Sequence, residues 1–125
     1  MTIQNYISQL SKNNPDAIMV SSLGNINNAF KELDDPHKVY MRGAMGHSIG
    51  CGLGIALSTD KKVIVVLGEG SFLMKLGSLA SVLHHNPKNL EIHVLDNGCY
   101  NSCGGQKNYF DSIKHLIPFN IEEIE

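Results

Sequence analysis

Three short runs rich in β-branched and apolar residues punctuate the chain: residues 17–23 (AIMVSSL), 62–67 (KVIVVL) and 91–95 (EIHVL). Each ends in a glycine-containing loop, and the stretches between them carry helical spacing. That alternation predicts an α/β domain built on a parallel sheet. The middle run is apolar without alternation from residue 63 to 67, as expected of a central strand covered on both faces. Between the second and third runs, Leu76, Leu79, Ala80 and Leu83 fall at i, i+3, i+4 and i+7. They predict one apolar stripe of a crossover helix that ends near His84 and His85, where Asn86 and Pro87 stop it.

Residues 46–58 (GHSIGCGLGIALS) also read as a helix, although each interior glycine costs roughly 1 kcal/mol relative to alanine. Gly46, Gly50 and Gly54 are spaced by four, which predicts one bare face open to a neighbouring backbone or to a ligand. Tight packing against another helix and a ligand-facing helix start explain such a face equally well.

Composition narrows the class. The chain has 125 residues, 42% hydrophobic and 18% charged, with a net charge of −2, the profile of one compact soluble domain. Ten basic against twelve acidic residues leave no electrostatic footprint for nucleic acid, and no run of about 18 apolar residues spans a bilayer. The start, MTIQNYISQLSKNNPD, has no basic stretch followed by an apolar run and a cleavage site, so it reads as a cytosolic amino terminus. Cys51, Cys99 and Cys103 show neither CxxC nor zinc-finger spacing, which argues against a disulfide framework or a structural zinc.

In a parallel α/β sheet, ligands bind beyond the carboxyl ends of the strands. The three loops there are Ser22-Leu23-Gly24-Asn25, Gly68-Glu69-Gly70-Ser71 and Asp96-Asn97-Gly98-Cys99-Tyr100. The second places a carboxylate between two glycines and then a hydroxyl at an expected helix start, where free N–H groups favour a phosphate. The third offers the amide oxygen of Asn97 and backbone carbonyls. Together they supply hard oxygen ligands suited to Mg²⁺ or Ca²⁺, and the combination predicts a metal-bridged diphosphate site.

With these loops in place, the chain resembles the thiamine-diphosphate-dependent decarboxylases, specifically the diphosphate-binding domain of phosphonopyruvate and sulfopyruvate decarboxylases. Gly68-Glu69-Gly70 is followed, after 26 residues, by Asn97, matching the family's GDG triplet and distant asparagine. The blocks MRGAMGHSIGCGLGIAL, GEGSFLMKLGSLASV and VLDNGCYNSCGGQ resemble the family blocks in the same order.

The resemblance implies a three-layer thiamine-diphosphate-binding fold, with a parallel sheet and helices on both faces. It implies Mg²⁺ held by Glu69, the Asn97 side chain and the Cys99 carbonyl. Gly70, Ser71 and Asn25 would contact the diphosphate, with Gly24, Gly46 and Tyr100 in the same cofactor-binding set. The Gly43 carbonyl would meet the aminopyrimidine amine, and Met45 would hold the cofactor bent. One departure is Glu69, because the family triplet usually carries aspartate. The extra methylene implies either a recoiled loop or weaker metal binding.

The resemblance further implies that residues 1–125 form one diphosphate-type domain, incomplete at its carboxyl end, with the pyrimidine-type domain absent and contributed by a separate subunit. The expected activity is decarboxylation of a 3-substituted pyruvate carrying a phosphonate or sulfonate. The alternatives are an acetolactate-synthase-like or oxo-acid-dehydrogenase-like component, or a non-catalytic remnant that only binds cofactor or self-associates. A nucleotide-binding reading of Gly68-x-Gly70 lacks its third glycine, since position 73 is leucine, and Asp96 lies 28 residues beyond Gly68 instead of about 20. A dimer or larger assembly is expected, because an open sheet edge and apolar helix faces would need cover. His47 reads either as a group facing the cleft or as a satisfied helix-start histidine, His84 and His85 as helix-end residues without chemistry, Cys51 and Cys103 as small buried thiols, and Phe72 and Tyr100 first as packing residues.

Overall fold

A computed structural model of the chain describes residues 1–33, 35–41, 43–100 and 104–124. Its strands are β1 (Ile18–Val20), β2 (Lys38–Val39), β3 (Val63–Gly68), β4 (Leu90–Asp96), β5 (Cys99–Tyr100), β6 (Gln106–Lys107) and β7 (Asn120–Glu123). Five of them form a parallel sheet in the order β2-β1-β3-β4-β7, while β5 and β6 pair as a separate antiparallel ladder. The helices are α1 (Ile3–Asn13), α2 (Asn25–Lys31), α3 (Ser48–Ser58), α4 (Glu69–Met74) and α5 (Ser78–His85).

The central strand explains the layering. Val63, Val65 and Leu67 point to one face and join Ile49 and Leu53 of α3, Phe72 of α4 and Val82 of α5. Ile64 and Val66 point to the other and meet Ile7 of α1 with Ile26 and Phe30 of α2. All five β3 side chains are completely buried, each worth about 1.5–3 kcal/mol relative to exposure. The expected three-layer α/β class is the one observed.

Side chains close the helix ends. Thr2 Oγ1 accepts from the Asn5 N–H at 3.2 Å and caps α1. The Asn89 amide donates to the carbonyls of Ala56, Thr59 and Lys61 at 2.8–2.9 Å, which satisfies the carbonyl end of α3. Lys38 donates to the carbonyl of Phe30 in the last turn of α2 and to that of Leu33 just beyond it. Asn86 stops α5 in the left-handed region at φ 44°, which asparagine tolerates, and Pro87 after it cannot continue the helix.

Two expectations about helices are corrected. Gly77 precedes α5 as its N-cap, so Leu76 lies outside the helix and the inward positions become Ser78, Leu79 and Val82. Of the predicted stripe, Leu76 and Leu83 are 41% and 56% exposed and Ala80 faces solvent, because α5 leans on α3 and meets the core through Val82. Likewise α3 begins at Ser48, leaving Gly46 before it at φ +88°. Gly46 therefore drops out of the expected face, which only Gly50 and Gly54 share. A Cβ on Gly50 or Gly54 would meet open space, whereas one on Gly52 would sit 2.1 Å from Val65 Cγ2. The glycine that packing demands is Gly52.

The sheet also has strands that the hydrophobic pattern does not announce. β2 has two residues, and β7 (NIEE) carries two glutamates. β7 pairs His93 with Asn120 through Asp96 with Glu123. The open edges of the sheet, as expected, remain unpaired among the described residues, but they are a very short strand and an acidic one, both poor templates for further pairing. Apolar helix surface remains: Leu57, Met74 and Leu83 are each more than half exposed. Between β6 and β7, Phe110 is buried edge-on against Phe72 at 6.1 Å, and the half-buried Phe119 packs edge-on against the same ring at 6.0 Å. Among the described residues no helix is long and apolar enough to cross a membrane.

Candidate functional site

The carboxyl ends of β1, β3 and β4 open on one cavity of about 120 Å³, small beside the roughly 300–1,000 Å³ of typical ligand pockets. A cofactor seated there would be only partly enclosed by this chain. The loops after all three strands line it, as do Ile3, Met45 and Ile124.

The first loop is shaped by Gly24, whose φ of 78° and ψ of −141° lie in a region essentially restricted to glycine. It turns the chain from β1 into α2 and brings Asn25 to the cavity wall. Behind it, Ser21 is fully buried. Its hydroxyl donates to Asn27 Oδ1 at 3.1 Å and accepts from the Met41 N–H at 2.9 Å, while its carbonyl accepts from Ser48 Oγ at 2.9 Å. One residue thereby fixes β1, α2 and the start of α3 to each other.

The second loop carries Glu69 at the first position of α4, only 2% exposed. Its Oε1 accepts from Asn108 Nδ2 at 2.9 Å and its Oε2 from the Asn97 N–H at 3.2 Å. A buried carboxylate needs such donors or a cation. Among the described residues no ion pair reaches it. The longer arm of glutamate is spent in reaching Asn108, so one neutral donor holds each oxygen. Ser71 follows, 6% exposed. Gly70 keeps the wall thin, since a Cβ there would lie 2.8 Å from the Tyr100 ring and 3.5 Å from Met45 Cε. Tyr100 and Met45 thus converge over bare backbone.

In the third loop, Asp96 Oδ1 accepts from the Gly98 N–H at 2.9 Å and Asn97 Oδ1 from the Cys99 N–H at 3.2 Å. These bonds curl the loop so that Asn97 and Cys99 both line the cavity with Glu69. An amide oxygen has two lone pairs, so Asn97 Oδ1 keeps one for a cation. A buried carboxylate, an amide oxygen and a loop carbonyl form the all-oxygen donor set that a hard divalent cation takes, so the residues present would fit Mg²⁺.

Of the residues singled out in the sequence, Gly24, Asn25, Met45, Glu69, Gly70, Ser71, Asn97, Cys99 and Tyr100 line one cavity. Gly43 and Gly46 do not line it. Gly43 is exposed, and Gly46 packs behind the wall, where a Cβ would meet the Ser71 carbonyl at 2.8 Å. His47 is exposed and makes no side-chain cap on α3. His84 and His85 sit exposed in the last turn of α5, ring against ring at 4.9 Å. Phe72 is core, Cys51 is half-buried against it, and Cys103 lies outside the described residues. Ser21 and Asn108 escape the sequence reading. Neither sits in a motif, and an Asn-x-aromatic turn remote from the strand loops carries no signal of its own.

The molecule's similarities agree with this geometry. Residues 22–122 match the family model of the thiamine pyrophosphate enzyme, C-terminal TPP binding domain. A phosphonopyruvate decarboxylase of Streptomyces hygroscopicus is 49% identical over 94 residues, covering 74% of this chain and 23% of that protein. The sulfopyruvate decarboxylase subunit beta of Methanothermobacter thermautotrophicus is 46% identical over 80 residues, covering 64% and 43%. The chain thus spans about a quarter to a half of the decarboxylase relatives it matches. Among solved structures, a 2-oxoglutarate:ferredoxin oxidoreductase from Magnetococcus marinus shares the fold with a TM-score of 0.69 at 20% identity, over 85% of this chain and 37% of that one. With the match extending over most of its length and through every loop of the cavity, this chain belongs to the thiamine pyrophosphate enzymes, as their C-terminal TPP binding domain.

Proposed function

We propose that the chain is the diphosphate-binding part of a TPP- and Mg²⁺-dependent decarboxylase acting on a 3-substituted pyruvate, either phosphonopyruvate or sulfopyruvate. The observation that carries this reading is the convergence of Glu69, Asn97 and Cys99 with Asn25, Gly70 and Ser71 on one cavity. The two substrate classes come from the relatives, one named for each acid. The chemistry that TPP supplies when bound is an electron sink for the pair left by departing CO₂. Everything else falls to the protein. Glu69, Asn97 and the Cys99 carbonyl hold the cation. The first turns of α2 and α4 present unpaired N–H groups, and Ser71 a hydroxyl, to the diphosphate. Met45 and Tyr100 form the apolar side of the cleft and keep water from it.

The small cavity supports a second wall from elsewhere, and the relatives named as beta subunits favour a separate chain carrying the pyrimidine-type domain. The test is CO₂ release from sulfopyruvate and phosphonopyruvate, with TPP and Mg²⁺ present. The chain alone is expected to give none, and addition of a pyrimidine-domain subunit is expected to give turnover of one acid. Steady turnover by the purified chain alone would contradict the reading.

A further inference from the structure

We infer that Asn108 is a positioning residue that aims the Glu69 carboxylate at a divalent cation, and that this duty exists because the acid here is glutamate. The inference rests on the metal-site reading above.

Asn108 is 8% exposed and follows β6 directly. Its Oδ1 accepts from the Phe110 N–H at 3.1 Å. A flipped amide would set two donors against each other, so Nδ2 is committed to the other side, where it donates to Glu69 Oε1 at 2.9 Å. The main chain of the same residue is tied in as well, since its N–H donates to the Gly98 carbonyl at 3.4 Å. One residue before it, Lys107 pairs with Cys99 across the β5–β6 ladder. Asn108 therefore joins the element bearing Glu69 to the loop bearing Asn97 and Cys99.

Glutamate has one more rotatable bond than aspartate, and without an anchor its carboxylate would sweep a wider arc. The bond to Asn108 removes that freedom. It occupies one lone pair of Oε1 and leaves Oε2, whose contact with Asn97 is the longer at 3.2 Å, as the better-placed ligand atom. An aspartate would fall short of Asn108 by about one C–C bond, roughly 1.5 Å, and would have no use for it.

The test measures Mn²⁺ affinity by electron paramagnetic resonance, with TPP present, at a temperature where each variant is folded. Variants are Asn108→Ala, Asn108→Ser, Glu69→Ala, Glu69→Asp and the double variant Glu69→Asp with Asn108→Ala. Asn108→Ser keeps an oxygen for the Phe110 N–H but cannot reach Glu69, and it stands in if the alanine variant does not fold. Loss of Asn108 is expected to weaken Mn²⁺ about tenfold, the lower end of the usual effect of residues that orient metal ligands. The same loss in the Glu69→Asp background is expected to change Mn²⁺ affinity less than twofold. A merely structural Asn108 would lower the unfolding midpoint and leave the affinity of the folded protein alone, and that result overturns the inference, as does an equal loss in both backgrounds. If the parent binds no Mn²⁺, the metal-site reading fails and takes the inference with it. If the parent binds, Glu69→Ala does not and Asn108→Ala binds as tightly as the parent, only the inference fails.

Discussion

In the proposed cation site Glu69 would supply charge and Asn97 a neutral oxygen, while the Asn97 N–H donates to Glu69 Oε2 and steadies it. Replacing either by alanine is expected to abolish the Mg²⁺ dependence of TPP binding and to preserve the far-ultraviolet circular dichroism spectrum, because neither carries the core. A variant that binds TPP with unchanged Mg²⁺ dependence would remove that residue from the site. On the far side of the sheet a different polar chain is at work. The Tyr6 hydroxyl lies 2.7 Å from His93 Nδ1, His93 Nε2 lies 2.6 Å from Glu91, and Lys62 bridges Glu91 at 2.8 Å. Burial alone would push the Glu91 carboxyl up, yet the hydrogen bonds from Lys62 and His93 together outweigh it and hold the group below its ordinary value. A carboxyl depressed in the folded state stabilises above its unfolded pKa, and this contribution is lost as pH falls through the folded one. Urea denaturation from pH 6 down to pH 3 is therefore expected to lose stability more steeply in the parent than in Glu91→Gln. The difference is below about 1 kcal/mol, because the ion pair is partly exposed. Equal slopes would show that the pair contributes nothing. Residues of both kinds differ in how far sequence reveals them. Glu69 and Asn97 sit in strand-end loops at a telling spacing, whereas Ser21, Asn108 and His93 act through partners at long sequence separation, which no local pattern encodes.

The elements that the sequence announces are those buried on both faces. β1, β3 and β4 are apolar because α1 and α2 cover one side and α3 to α5 the other. β2 and β7 are short edges with polar residues, and nothing in NIEE distinguishes a strand from a loop until His93 to Asp96 lie beside it. α3 shows the reverse problem, in which a visible regularity misleads. The four-residue glycine spacing suggests a face, but Gly52 alone is hemmed in. Gly52→Ala is expected to destabilise by about 1–3 kcal/mol through overpacking against Val65. Gly50→Ala and Gly54→Ala, with open space above them, are each expected to stabilise by about 0.5–1 kcal/mol through helix propensity. Chemical denaturation of the three variants checks both signs, and a stabilising Gly52→Ala would place α3 farther from the sheet than described.

At the scale of the whole molecule, the sheet sets the cavity and the carboxyl-terminal segment locks it. Phe110 and Phe119 clasp Phe72 at the back of α4, and β7 seats Ile124 on the cavity wall. The site is therefore legible in sequence as three loops, but its rigidity depends on residues 104–124, which carry little hydrophobic pattern. Leu57, Met74 and Leu83 stay more than half exposed, and self-association through such surface is expected at micromolar concentration, read by sedimentation equilibrium. A monomer of 13.7 kDa would show that these faces need no cover. The cavity is proposed to take the diphosphate of TPP through a cation that Glu69, Asn97 and the Cys99 carbonyl would hold. Isothermal titration of the chain with TPP tests it most directly, with and without Mg²⁺ and with NAD as the control ligand. Saturable TPP binding that requires Mg²⁺ and vanishes in Glu69→Ala is expected, with no comparable heat from NAD. Equal binding of TPP without the metal, or preference for NAD, would contradict it.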